Sequence, residues 1–307
     1  MKRRARMHAV VSHQLELEDS TRSALPRPPQ GRILTACEPS WQMQNATTFA
    51  DSKVEQFSPH AADVWFGSHG TQVSRALSQS QAGAFTPKLV IGCDDRTQIT
   101  DTQTYPFSAI CALEITAQTG QQFVGTGWFA NDNTVVTAGH CVYLCNHGGW
   151  ARRVRVFPGR NGEGNHAGYL AGQLRSVKGW INDHRRSADY GAIQLVDRVP
   201  TAGGFGLLAL NDDDLMSALY HVVGYPADKP RGTQWGHVRA LSQVKPSTLY
   251  YATDTYGGNS GCPVFFVDDR QPEQIYAVGI HNYGDVSGNS ATRITEEVFE
   301  NICLWME

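Results

Sequence analysis

The sequence predicts an all-β fold, a barrel or a sandwich, with one helix at its C-terminal end. Short apolar runs separated by Gly, Pro, Asn and Asp clusters recur from residue 88 onward. Such runs are typical of many short strands joined by turns. Proline-rich and small polar stretches precede them and indicate a poorly structured N-terminal segment. A chain of 307 residues is long enough for two ordinary domains or for one larger β unit with an appendage.

The predicted strands follow one another through the last two thirds of the chain. Each combines Val, Ile, Leu or aromatic residues with flanking turn residues. The clearest runs lie at 107–115, 134–137, 154–157, 191–196, 220–223 and 276–281.

The last residues predict the helix. Thr295 is a residue type that caps helices, and the acidic pair at 296–297 suits the first turn, where the helix dipole favours negative charge. Val298, Ile302 and Trp305 recur at helical spacing, so we expect them to share a buried face.

Composition excludes several classes of function. Hydrophobic residues make up 41%, charged residues 18%, and the formal net charge is -3. This balance lacks the positive bias of proteins that bind nucleic acid or anionic membrane surfaces. No apolar stretch approaches the roughly 18 residues that a membrane span needs. We therefore expect no nucleic-acid partner and no membrane span, and we also expect a monomer without a cofactor or a metal.

The cysteines and the first residues point in different directions about localisation. Seven cysteines, at positions 37, 93, 111, 141, 145, 262 and 303, favour two or three disulfides in a secreted protein. The basic start at 1–6 resembles that of a signal peptide, but the apolar run of roughly 7 to 15 residues that should follow is missing. Secretion is therefore expected without a recognisable signal peptide.

Three short motifs carry the candidate chemistry. TAGHC places His140 after an apolar strand, SADYGAI places Asp189 before another, and GGNSGCP places Ser260 among glycines. A serine hydroxyl needs an adjacent base and a group that orients that base before it becomes a useful nucleophile. Each motif alone is compatible with an ordinary turn or strand end. Their occurrence together, in the order His, Asp, Ser, predicts a catalytic triad.

These motifs resemble those of the chymotrypsin-like serine peptidases, and further stretches at 90–98, 224–226, 254–261 and 278–282 resemble the bacterial glutamyl endopeptidases. The resemblance covers about residues 90–307 and none of the leader. It implies two six-stranded antiparallel β-barrels, barrel 1 at about 90–200 and barrel 2 at about 201–294, followed by a helix at about 295–306. The active site is expected in the cleft between them.

Glycines around Ser260 suit an oxyanion hole. They let the backbone bend so that the hydroxyl projects while the N–H groups of Gly258 and Ser260 point at the oxygen of a tetrahedral intermediate. We expect these two donors to stabilise the charge that develops during acyl transfer.

The resemblance also implies which peptide bond is cut. Glutamyl endopeptidases hold a substrate carboxylate with a strand histidine, a hydroxyl residue and the mature N-terminal amine, for which His281, Thr255 and Val90 stand in matching positions. Cleavage after Glu, and after Asp as a secondary site, is therefore expected. Asp254 favours an alternative, since an acid near this position attracts Lys or Arg in trypsin-like pockets. A catalytically silent homologue that serves as a binding module is a third possibility.

Activation is expected to be proteolytic. Cleavage around 88–89 would free an amine near Val90, which makes residues 1–89 a propeptide and 90–307 the peptidase domain. Asn259 replaces the acid that pairs with the new N-terminus in chymotrypsin, so that ion pair is ruled out. Cys145 is the candidate disulfide partner of Cys141, and Cys262 is expected to be packed or bridged.

Overall fold

The computed structural model describes residues 10–14, 65–66, 88–89, 94–164, 168–199, 203–268, 271–285 and 288–307. Within these segments the strands are β1 (Val10–Gln14), β2 (Trp65–Phe66), β3 (Lys88–Leu89), β4 (Thr97–Ile99), β5 (Ile110–Thr116), β6 (Gln122–Phe129), β7 (Thr134–Thr137), β8 (Tyr143–Leu144), β9 (Gly149–Trp150), β10 (Arg153–Pro158), β11 (Tyr169–Val177), β12 (Gly191–Leu195), β13 (Gly206–Leu207), β14 (Leu219–Gly224), β15 (Gln234–Val244), β16 (Thr248–Tyr251), β17 (Thr255–Tyr256), β18 (Pro263–Asp268), β19 (Gln271–Asp285) and β20 (Gly288–Arg293). The helices there are α1 (Gly139–Val142), α2 (Lys178–Ile181), α3 (Asp212–Met216) and α4 (Glu296–Trp305).

Two closed antiparallel barrels of six strands each form the fold. In barrel 1 the strand order is β11-β10-β5-β6-β7-β12, and pairing of β12 with β11 closes the barrel. In barrel 2 the order is β19-β18-β14-β15-β16-β20, closed by pairing of β20 with β19. The expected architecture is confirmed.

Apolar side chains of the strands fill both barrels. The inner positions of β5 and β6 are almost fully buried, as strands that pack on a barrel interior require. Barrel 1 shares one continuous core with α4 and with part of barrel 2, and the remaining interior of barrel 2 is a second cluster that includes Leu249 and Val264.

Helix α4 has the cap and the buried face that the sequence predicts. The Thr295 hydroxyl accepts a hydrogen bond from the Val298 N–H at 3.4 Å. Val298, Ile302 and Trp305 are all buried. The helix also holds the strand segment of Tyr190, whose hydroxyl accepts a hydrogen bond from the Asn301 side chain at 2.8 Å. Because Tyr190 follows Asp189, α4 supports one of the candidate site residues.

The described parts of the leader pair with the barrels. Strand β1 pairs with β11, β2 with β6, and β3 with β17. The rest of the segment before Asp94, including the predicted linker at 68–87 and Val90, lies outside the described residues. Strand β4 pairs with β15 of barrel 2, although the expected boundaries assign its residues to barrel 1. Strand β4 pairs with β15 at 234–236, a part of β15 that does not pair with β16.

In the part of the chain that the structure describes, no helix combines the length and the apolar composition needed to cross a bilayer.

Candidate active site

His140 and Asp189 meet because the strands that carry them are neighbours. His140 lies in α1, directly after β7, and Asp189 lies two residues before β12. Strands β7 and β12 pair with Gly191 opposite Thr137, which brings the two side chains to the same end of barrel 1.

The carboxylate of Asp189 holds His140 at two points. One carboxylate oxygen accepts the His140 backbone N–H at 2.8 Å, and the other lies 2.7 Å from Nδ1 of the ring. Gly139 makes this approach possible, since a Cβ there would lie 2.9 Å from Oδ1 of Asp189 and 2.8 Å from the Trp180 ring. Asp189 is 0% exposed and His140 is 1% exposed, so the pair is shielded from water.

This pairing sets the electrostatics of the imidazole. Burial disfavours the charged ring, but the Asp189 carboxylate outweighs that effect and raises the pKa of His140 well above its usual range. With Nδ1 engaged by the carboxylate, Nε2 is the nitrogen left for another group. Among the described residues Nε2 is buried and has no hydrogen-bond partner.

Ser260 sits on the turn between β17 and β18, with its backbone against barrel 1. Its carbonyl oxygen accepts the Thr126 N–H at 2.9 Å and the Cys141 thiol at an Sγ–O distance of 3.6 Å. Because Cys141 follows His140, the serine lies beside the turn that carries the histidine. The next residue, Gly261, has φ +89°, and a Cβ on it would lie 2.2 Å from the Thr126 carbonyl oxygen. The structure thus brings the three candidate triad residues to one junction of the barrels but forms no hydrogen bond from Ser260 to Nε2 of His140.

The backbone before Ser260 directs two N–H groups away from the partners of the adjoining carbonyls. The Gly257 carbonyl accepts the Ala227 N–H at 2.7 Å, and the Asn259 carbonyl accepts the Cys262 N–H at 2.9 Å. In a trans peptide the N–H points opposite to the carbonyl, so the N–H groups of Gly258 and Ser260 point away from these partners. Gly258 has φ +101°, and a Cβ there would lie 2.5 Å from the Tyr225 carbonyl oxygen. Only glycine fits that position.

His281 and Thr255 are both buried close to the serine turn. The Gly261 N–H donates to the His281 carbonyl at 2.7 Å, and the His281 N–H donates to the Cys262 carbonyl at 2.9 Å, so the turn is tied to β19. Burial, reinforced by the charge of nearby His140, lowers the pKa of His281 to about 3. Nδ1 of His281 lies 2.6 Å from the Tyr251 hydroxyl. The ring is therefore a neutral hydrogen-bonding group.

Asp254 is engaged on the side of barrel 2. Its Oδ2 accepts the Asp95 N–H at 3.2 Å, and its own N–H donates to Nδ1 of His237 at 3.2 Å. Only 3% of Asp254 is exposed.

Three comparisons with known proteins identify the family. The trypsin-like peptidase domain matches residues 125–288. A glutamyl endopeptidase of Bacillus licheniformis is 34% identical over 291 residues, which cover 90% of this chain and 89% of the relative. The chain belongs to the trypsin-like serine peptidases.

Two further proteins are similar to this chain. A Bacillus subtilis protein named extracellular metalloprotease is 36% identical over 266 residues, covering 85% of this chain and 83% of the relative. The solved structure of a Glu endopeptidase in complex with MPD has a TM-score of 0.62 and 26% identity, and covers 71% of this chain and 99% of that chain. The predicted resemblance to the glutamyl endopeptidases is confirmed.

The sequence resemblance extends further than expected. Residues 90–307 make up about 71% of the chain, whereas the match to the Bacillus licheniformis relative covers 90%. The match therefore includes much of the first 89 residues, and the expectation that the leader resembles nothing in the family is wrong.

The expected disulfide between Cys141 and Cys145 is not formed. All five described cysteines, at positions 111, 141, 145, 262 and 303, are free thiols, and Cys37 and Cys93 lie outside the described residues. The chain leaves α1 after Val142 and becomes extended, so the two sulfurs diverge. The Cys141 thiol points to Ser260, while Sγ of Cys145 lies 2.9 Å from Nδ1 of His184. Cys262 is buried, as expected for a packed residue.

Sequence reasoning missed two residues that contact Asp189. The Tyr283 hydroxyl donates to Oδ2 of Asp189, and the Asn282 side chain donates to the Asp189 carbonyl at 2.7 Å. The pairing of β19 with β20 shifts register between His281 and Tyr283, so the alternation of strand side chains gave no signal for Tyr283.

One group of side chains in the described part has the composition of a metal site. The ligand atoms of Asp95, His237 and Asp254 lie within 4.8 Å of one another. Asp95 is also 3.0 Å from Nδ1 of His237 and accepts a hydrogen bond from Arg239 at 2.6 Å. These contacts make the group an ion-pair network, and we assign it no metal.

Proposed function

We propose that this serine peptidase hydrolyses peptide bonds with Ser260 as nucleophile, His140 as base and Asp189 as the group that orients the base. The observation that carries the proposal is the buried His140–Asp189 pair, whose Nε2 is left unpaired beside the turn of Ser260. Hydrogen bonds of a catalytic serine are often long or poorly aligned before substrate binds, so an unpaired Nε2 agrees with this role.

The reaction proceeds through an acyl-enzyme. The Ser260 Oγ attacks the scissile carbonyl carbon as His140 takes its proton on Nε2. The N–H groups of Gly258 and Ser260 donate to the oxyanion of the tetrahedral intermediate, which then collapses as His140 protonates the leaving amine. Water attacks the acyl-enzyme with His140 again as base, and the acid product leaves. Asp189 stabilises the imidazolium in both steps, since its carboxylate favours the charged ring.

Cleavage after Glu, with Asp as a secondary site, is the proposed specificity. A neutral His281 and the Thr255 hydroxyl both donate hydrogen bonds, and a substrate carboxylate accepts them. A relative at 34% identity bears the name glutamyl endopeptidase.

The alternative, cleavage after Lys or Arg, depends on a free acid in the pocket. Asp254 is held by the Asp95 N–H at 3.2 Å, and Nδ1 of His237 lies 4.0 Å from its Oδ2. A carboxylate that is satisfied on the barrel side has little left to offer a substrate cation, so we place this alternative second.

We also propose that the enzyme is made as a zymogen with residues 1–89 as its propeptide and an amine near Val90 completing the carboxylate site. Strand β3 pairs Leu89 with Thr255 and Lys88 with Tyr256, so the expected cleavage point adjoins the pocket segment. A solved Glu endopeptidase covers 71% of this chain, which is the share of residues 90–307. N-terminal sequencing of the active form tests this, because a start other than 90 or 91 contradicts it.

Secretion is proposed because the Bacillus subtilis relative at 36% identity is named extracellular. Detection of the processed enzyme in culture medium, with a cytosolic marker absent, is the expected result. Retention of all activity in the cells would overturn this.

The nucleophile is tested with a fluorophosphonate probe. We expect the probe to label a peptide that contains Ser260, and Ser260→Ala to lose labelling together with about 10⁶ in kcat. Ser217→Ala is the matched control, because its hydroxyl only bonds Asp214 on the surface. Labelling of Ser260→Ala at the parent rate would remove the proposal.

Specificity is tested with peptides that differ only in the residue before the scissile bond. Glu should be cut fastest and Asp next, with Lys and Arg resistant. A preference for Lys or Arg that disappears in Asp254→Asn would establish the alternative instead.

A further inference from the structure

Tyr251 lies behind His281 in barrel 2 and contacts it directly. It is the last residue of β16, its side chain is 1% exposed, and its hydroxyl is 2.6 Å from Nδ1 of His281. Strand β20 lies between the two strands, with Asn289 opposite Tyr251 and Ala291 opposite His281. The small side chain of Ala291 leaves room for the phenol to reach across.

The direction of this hydrogen bond can be assigned. A buried phenol needs an acceptor for its proton, and burial raises the pKa of Tyr251 well above its usual range, so the proton stays on the oxygen. Among the described residues, Nδ1 of His281 is the only hydrogen-bond partner of this hydroxyl. The phenol therefore donates to Nδ1, and Nδ1 carries no proton.

This assignment fixes the other nitrogen of the ring. In a neutral imidazole one nitrogen donates and the other accepts. Since Nδ1 accepts from Tyr251, the proton of His281 is on Nε2, and the pocket receives a donor. The opposite tautomer would present a lone pair, which repels a carboxylate and suits the amide N–H₂ of a glutamine instead.

We propose that Tyr251 is a positioning residue that holds His281 in the tautomer that donates from Nε2 and so selects an acidic side chain over its amide isostere. The proposal rests on the Glu specificity proposed above and names the residue that enforces it through His281. Tyr251 itself touches no substrate.

The variant Tyr251→Phe removes the hydroxyl and retains the ring. We expect the ratio of kcat/KM for a Glu peptide to that for the matched Gln peptide to fall about tenfold, the value of one lost hydrogen bond. The change should come from slower Glu cleavage, while the rate of fluorophosphonate labelling of Ser260 stays at the parent value. Tyr220→Phe is the matched control, since it removes a buried hydroxyl of barrel 2 that bonds the Leu215 carbonyl at 3.0 Å.

A measurement on the unaltered protein keeps the proposal testable if Tyr251→Phe fails to fold. The ¹⁵N NMR shifts of His281 should be those of a protonated Nε2 and an unprotonated Nδ1, and should move toward a mixture of tautomers in Tyr251→Phe. A protonated Nδ1 in the parent, or an unchanged Glu-to-Gln ratio in the variant, would overturn the proposal. A parent without any Glu preference would instead refute the proposed specificity, and the NMR result would still report on the tautomer.

Discussion

Two buried histidines on opposite sides of the cleft behave in opposite ways. His140 of barrel 1 has its Nδ1 on a carboxylate, and His281 of barrel 2 has its Nδ1 on a phenol. The pKa of His140 is raised well above the usual range of a histidine, whereas that of His281 is lowered to about 3.

Burial lowers the pKa of both rings, and only the Asp189 carboxylate beside His140 outweighs that effect, so an anion at Nδ1 makes the difference between the two rings. Burial is nearly the same for both, at 1% and 2% exposure. An anion stabilises an imidazolium, which a general base needs at the moment it takes a proton. A neutral donor stabilises a neutral ring, which a hydrogen-bond donor in a binding pocket needs. In the proposed mechanism one residue type thus supplies both a base and a substrate-binding group.

The largest effect is expected when the Asp189 carboxylate beside His140 is replaced by a neutral group. In Asp189→Asn we expect kcat to fall by about 10⁴, because an amide neither orients the ring in the same tautomer nor stabilises its charge. Steady-state kinetics on a Glu peptide measure the loss. Asp132→Asn, which removes a surface acid paired with Arg198 at 2.8 Å, is the control and should keep parent activity. A kcat for Asp189→Asn within tenfold of the parent would contradict the assignment.

The lowered pKa of His281 predicts that the protein loses stability in acid. The pKa of this histidine is about 3 in the folded state and roughly 6.5 when unfolded, so between these values only the unfolded chain binds the proton. Stability therefore falls as pH drops below 6.5 and the loss ends near pH 3. Between pH 7 and pH 5 the free energy of unfolding should fall by about 2 kcal/mol more in the parent than in His281→Gln.

Urea unfolding at both pH values measures this difference, in a Ser260→Ala background that prevents self-digestion. His140 is present in both proteins, so its own contribution cancels. Equal falls in the free energy of unfolding of the two proteins would show that His281 accepts a proton in the folded state. That result would contradict the contrast drawn between the two histidines.

The smallest of the three effects concerns the donor to Asp189. Tyr283→Phe removes the hydroxyl that bonds Oδ2 of the carboxylate. We expect kcat/KM to fall about tenfold. The acid limb of the pH profile should move to higher pH, because a carboxylate with fewer donors stabilises the imidazolium of His140 more strongly and the base is protonated earlier. A pH series of kcat/KM measures both. An unmoved acid limb would mean that Tyr283 supports the fold only.

Local signals were sufficient for the fold class, the closing helix and the location of the candidate triad. His140 follows the run that forms β7, and Asp189 precedes the run that forms β12. Turn residues and apolar runs are short-range patterns, and the known family order of the three motifs supplied the rest. The helix cap at Thr295 could be predicted for the same reason.

Contacts between residues distant in sequence could not be predicted from the sequence. The Asp95 N–H meets Asp254 across 159 positions, and Tyr283 meets Asp189 across 94. No local sequence pattern in either segment predicts its contact with the other. Closeness in sequence misled in one case, since Cys141 and Cys145 are four positions apart but their sulfurs point to different partners.

The Thr126 N–H donates to the Ser260 carbonyl at 2.9 Å, so the proposed nucleophile is bound to barrel 1 although its chain segment belongs to barrel 2. Any tilt of one barrel relative to the other therefore displaces Ser260. On heating, activity should accordingly be lost at a lower temperature than that at which either barrel unfolds. The turnover rate therefore reports on the alignment of the two barrels.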